Sequence, residues 1–156
     1  MKNLIFALLL FTYGSLFAQK ITISVEGKTH TFTSFTSGDM SALPAGMSIP
    51  NMPKSQTTFR ASEGEKSLQF MFDTAQLKGK KAPFSLKIAT VQFMGENQKK
   101  VLQMMEENIF IKVSEYDEAT QTFSGTLEGS MQNMTAGGFG GWKKNKAVVV
   151  FEKVKL

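Results

Sequence analysis

A chain of 156 residues, 42% of them hydrophobic, is long enough to bury one core, and its lack of cysteine excludes disulfides, thiolate metal sites and a cysteine nucleophile. Eighteen basic residues against 13 acidic ones give a formal charge of +5, yet the only arginine is Arg60. Specific nucleic-acid readers rely on arginine forks at bases and phosphates, so no nucleic-acid partner is expected.

Residues 1–18 have the order of a secretory signal peptide. Lys2 supplies the positive start, residues 4–11 form an apolar run, and Leu16-Phe17-Ala18 ends on a small residue before Gln19. Thr12, Gly14, Ser15 and Gln19 interrupt the run before it reaches the roughly 20 apolar residues of a spanning helix, so cleavage is expected rather than anchoring. No other segment approaches that length. The expected product is an exported domain, periplasmic or extracellular, over residues 19–156, with no transmembrane segment after cleavage and a formal charge of about +4 once Lys2 is lost.

The body of the chain reads as strands. Ile21, Ile23 and Val25 alternate with Thr22, Ser24 and Glu26, and a turn at Glu26-Gly27-Lys28 leads into a Thr- and Phe-rich run over 29–35. Runs over 57–61 and 67–72 meet across Glu63-Gly64-Glu65-Lys66, with Leu68, Phe70 and Phe72 on one face. The run over 84–94 places Phe84, Leu86 and Ile88 on one face but Ala89, Val91 and Phe93 on the other, which predicts a bulge or bend within it. Over 95–108, Val101, Met104, Met105 and Ile109 fit one helical face. A short helix is expected there, although Lys99-Lys100 at its start and Glu106-Glu107 at its end oppose the helix dipole. Strands resume over 109–116, turn at Asp117-Glu118-Ala119-Thr120, return over 121–130, and end with 147–156, whose block Ala147-Val148-Val149-Val150-Phe151 suits a strand covered on both faces. The fold class expected is all-β: an antiparallel barrel, lipocalin-like, or a sandwich of about eight strands.

Two segments break the rhythm. Residues 36–56 combine Gly38, Pro44, Gly46, Pro50 and Pro53 with Met40, Leu43, Met47, Ile49 and Met52, an apolar loop longer than loops without function usually are. Residues 132–146 hold Gly137-Gly138-Phe139-Gly140-Gly141-Trp142-Lys143-Lys144, glycines that permit tight turns while presenting two aromatic rings and a basic tip. Met40, Leu43, Met47, Ile49, Met52, Phe139 and Trp142 are the candidate ligand-binding residues.

The stretch Ile111-Lys112-Val113-Ser114-Glu115-Tyr116-Asp117-Glu118-Ala119-Thr120-Gln121-Thr122-Phe123-Ser124-Gly125-Thr126-Leu127-Glu128-Gly129 resembles a hairpin of small exported bacterial β-proteins of unassigned function, in which Tyr-Asp turns into a strand carrying Phe-Ser-Gly-Thr. The resemblance covers about 20 residues and implies a lipocalin-like or sandwich fold. Many of those proteins are lipoproteins, and this chain departs from them in having no cysteine to acylate. The resemblance brings no catalytic residue with it.

Chemistry finds few footholds. His30 is the only histidine and no Gly-x-Ser-x-Gly nucleophile elbow exists, so neither a Ser-His-Asp triad nor a histidine-based metal site is expected. The glycine-rich segment lacks the Gly-Lys-Ser/Thr ending of a phosphate loop. Methionine is plentiful, and Met131-x-x-Met134 could suit Cu(I), but flexible thioethers more often fill cores or line apolar surfaces. The expectation is therefore a noncatalytic exported domain without metal or cofactor. It would bind a lipid-like small molecule, with the 36–56 loop near the mouth of the barrel. The alternative is a surface adhesion or assembly module acting through loops or a sheet edge, with a surface glycan as partner.

Overall fold

Period-two alternation is carried into the structure strand by strand. The computed structural model describes residues 19–39, 55–95, 100–135 and 144–156. In chain order the strands are β1 (Lys20–Val25), β2 (Lys28–Phe32), β3 (Ser34–Asp39), β4 (Gln56–Glu63), β5 (Lys66–Asp73), β6 (Phe84–Met94), β7 (Val101–Met104), β8 (Ile109–Asp117), β9 (Thr122–Asn133) and β10 (Lys144–Lys155). A 3₁₀ turn, Thr74–Leu77, follows β5, and the Asp73 carboxylate caps it by accepting the Ala75 N–H at 2.9 Å.

All ten strands belong to one antiparallel sheet. Neighbours in sequence pair with each other except β2 with β3 and β7 with β8, and β10 returns to pair with β1. Two positions are shared. β7 and β8 both lie between β6 and β9, one beyond the other, while β2 pairs with β1 and β3 with β4 across the single residue Thr33. The bent β2–β3 segment thus carries the sheet from its last strands back to its first, giving a partly closed ring of eight strand positions. This is the antiparallel architecture of about eight strands that the sequence predicts.

Turn chemistry fixes the registers. Glu26 and Gly27 both have positive φ, 54° and 73°, the pairing that a two-residue hairpin matched to strand twist requires. Asp117 organises the β8–β9 turn, accepting the Ala119 N–H at 2.9 Å and the Thr120 hydroxyl at 2.7 Å.

Three bulges then keep apolar side chains inward where simple alternation would turn them out. In β6, Thr90 pairs with Met71 and Ile88 with Phe72, so Ala89 is the extra residue, and Leu86, Ile88, Val91 and Phe93 are all buried. The face switch in the sequence is this bulge. In β8 the extra residue is Ser114, and in β10 the register shifts between Phe151 and Val154, where Lys153 has φ of 49°.

The interior is one continuous apolar cluster. Phe32, Phe59, Phe70, Phe72, Phe123 and Phe151 are each 2% exposed or less. Phe70 of β5 meets Phe151 of β10 edge-on with centroids 5.3 Å apart, although three strand positions separate them in the sheet. Phe151 in turn lies 5.2 Å from Phe123, and Phe70 stacks on Phe59 at 4.9 Å. Each such burial contributes about 1.5–3 kcal/mol relative to exposure.

Two sequence expectations need correction. The segment around Val101 is a strand, not a helix: Val101, Leu102 and Gln103 pair with Met94, Phe93 and Gln92, and Lys100, Glu106 and Glu107 lie outside it. Strand β3 also runs on to Asp39, so the long connection begins later than residue 36. Thr36 to Asp39 pair with Arg60 to Thr57 through the backbone ladder, without an apolar pattern to announce it.

Candidate functional site

Met40, Leu43, Met47, Ile49, Met52, Phe139 and Trp142, and residues 1–18, lie outside the described residues. The surface chemistry within the described residues gathers in three places.

The first is the double bulge around Ser124. The bulges of β8 and β10 both face this residue, and its side chain ties them together. The hydroxyl accepts the Lys153 N–H at 3.2 Å and donates to Glu115 at 3.1 Å, while the Lys153 ammonium pairs with the same Glu115 carboxylate. These residues line a depression of about 130 Å³ with Tyr116, Asp117, Thr122 and Phe123. Bonds from Lys153 and then Ser124 hold the Glu115 carboxyl below its ordinary range; the Thr120 hydroxyl and the Ala119 and Thr120 amides do the same for Asp117. Burial, with Glu118 and Asp117 nearby, pushes the Tyr116 phenol up. Activating Ser124 would need a base free to take its proton, but its hydroxyl is directed to a carboxylate whose basicity is already lowered by an ammonium. The chemistry of this cluster is that of a strand clamp.

The second is a depression of about 250 Å³ where β2 passes the β4–β5 hairpin, lined by Thr29, His30, Thr31, Phe32, Glu63 and Lys66. His30 is half-buried, with its ring 5.0 Å from that of Phe93. Among the described residues no three His, Asp or Glu side chains form a group that could hold a metal. Met131 is sealed in the core whereas Met134 is exposed, so the Met131-x-x-Met134 spacing does not present both thioethers to one ion.

The third is a transverse row on the outer face of the sheet. Thr36 pairs with Arg60, Arg60 with Gln69, Gln69 with Gln92, Gln92 with Gln103, Gln103 with Gln132, and Gln132 with Lys144. Directly paired residues share a face, so four glutamines stand side by side on β5, β6, β7 and β9, with a cation at each end. At a strand spacing of about 4.8 Å their backbones span about 14 Å along the sheet. All four are half-buried, and among the described residues none makes a side-chain hydrogen bond. A row of Thr58, Met71 and Thr90 flanks them on one side, and Ser62, Ser67, Met94 and Val101 on the other. Acidic side chains are missing from these three rows, whereas the outer faces of β1, β8, β9 and β10 carry paired charges such as Lys20–Glu152 and Lys146–Glu128.

The parts of this row are local in the sequence, but its alignment is not. Leu68-Gln69-Phe70, Val91-Gln92-Phe93 and Leu102-Gln103-Met104 each place glutamine between two inward apolar residues, but alignment across strands needs the registers. No protein-family model, curated protein or solved structure matches the chain.

Proposed function

We propose that this chain is an exported, noncatalytic recognition module that works through its outer surface, rather than a carrier of an apolar ligand in its interior. The ring contacts that cross the core from Phe70 to Phe151 and Phe123 carry this reading, because an enclosed ligand site needs space lined by apolar side chains, and these rings occupy it. The half-buried, hydrogen-bond-competent amides of the outer face offer the alternative: a surface that is neither a charged solubilising shell nor part of the core. Export agrees with the leader-like start of the sequence and with stabilisation by a core that needs no disulfide.

The test is uptake of an apolar fluorescent probe, such as an anilinonaphthalene dye or a dansylated fatty acid, by the purified protein. No saturable uptake is expected. Saturable uptake of one molecule per chain, displaced by unlabelled fatty acid, would overturn the proposal in favour of carriage.

A further inference from the structure

Resting on the surface-recognition reading, we infer that the glutamine row binds a linear, uncharged polysaccharide laid across the strands, with Gln92 and Gln103 at the centre of the contact. A primary amide both donates and accepts, as a sugar hydroxyl does, so Gln69, Gln92, Gln103 and Gln132 form a line of groups able to satisfy either role of a hydroxyl. Their repeat is set by strand spacing, about 4.8 Å, which is the scale of one pyranose ring. A polymer that repeats a ring and its hydroxyls at each step can engage neighbouring amides of the row at once. A compact ligand would engage only one or two of them.

The flanking rows complete the fit. Met71 and Met94 supply adaptable apolar contact for the C–H faces of the rings, and Thr90 and Ser62 add hydroxyl partners beside the amides. Arg60 and Lys144 end the row five strand spacings apart along the sheet, and no cation stands between them within the row. A polyanion would demand positive charge along its length, whereas here the centre is neutral. That distribution selects an uncharged chain. The sheet curves towards closure, so a stiff polymer touches the middle of the row most closely, which places Gln92 and Gln103 foremost.

Isothermal titration of the full protein with cellohexaose and with chitohexaose tests the assignment. Dextran is the flexible comparator and heparin the anionic one. At least one of the two hexasaccharides is expected to bind saturably. Gln92→Ala with Gln103→Ala should weaken it tenfold or more at an unchanged melting temperature, and Glu128→Gln on the charged half should leave it unaltered. Gln92→Asn with Gln103→Asn is the second pair: it keeps the amides but shortens their reach, and should give intermediate affinity if the alanine pair is compromised in folding. Absence of saturable hexasaccharide binding, or binding that survives loss of both amides, overturns the inference. Heparin binding alone, lost with Arg60→Gln and Lys144→Gln but kept without the glutamines, also overturns it. In each of those cases a negative dye-uptake result leaves surface recognition standing with a different partner, so the two failures are distinguishable.

Discussion

Ser124 and Gly125 show how much of this fold rests on single side chains. Gly125 sits in β9 between β8 and β10, and a Cβ built there would lie 2.6 Å from the Lys112 carbonyl oxygen, a backbone atom that cannot swing aside. The neighbouring Ser124 hydroxyl satisfies the Lys153 amide that the β10 bulge removes from the ladder. The Phe-Ser-Gly portion of the hairpin motif is thus accounted for by three requirements of packing: a core ring, a bulge clamp and a close strand approach. Glu115 adds a pH dependence to the clamp. Its carboxyl is held below the ordinary range in the folded chain, chiefly by Lys153, so its contribution is present above that range and is lost as pH falls through the folded value. Thermal melts should therefore show stability declining below about pH 5. In Glu115→Gln the decline should be shallower, and an unchanged acid profile would contradict the assigned role.

At the scale of elements, β6 carries the most information per residue. Its apolar positions change parity at Ala89, and the structure resolves the change with a one-residue bulge, because Leu86 and Ile88 must share the core with Val91 and Phe93. Deleting Ala89 would remove the parity change itself, so that Leu86, Ile88, Val91 and Phe93 alternate without a bulge and all still face the core. Thermal unfolding of that variant followed by near-ultraviolet dichroism should keep a cooperative transition. Ala89→Ser, at an exposed position, should fall within about 0.5 kcal/mol of the parent. Loss of the cooperative transition on deletion would show that the bulge does more than reconcile the two parities. Strands with alternating apolar residues and Gly-marked turns were legible because periodicity and turn chemistry are local. β7 is ambiguous in sequence because four residues of strand resemble one helical face when viewed alone, and only pairing with β6 and β9 decides between them. The extension of β3 to Asp39 was illegible for the opposite reason: Thr36, Ser37, Gly38 and Asp39 carry no apolar signal, and their strand geometry comes from β4. The glutamine row belongs to the same class, since its parts are local and its alignment is not.

Across the whole molecule, the inner and outer surfaces divide the work. The inner surface is a phenylalanine-rich cluster whose rings touch across the sheet, so stability comes from the core in a chain without disulfides. The outer surface is divided in turn: ion pairs on the side of β1 and β8 to β10, amides, hydroxyls and thioethers on the side of β4 to β7. Exposed ion pairs contribute little to stability, which makes the charged side a solvated wall and the neutral side the distinctive one. The central claim is that recognition belongs to this neutral outer face. Side-chain amide and methyl NMR during titration with cellohexaose tests it most directly. The NH₂ resonances of Gln69, Gln92, Gln103 and Gln132 should shift together while the methyls of Leu68, Leu86 and Leu102 stay in place. Shifts confined to those core methyls, with the glutamine amides unmoved, would contradict the account.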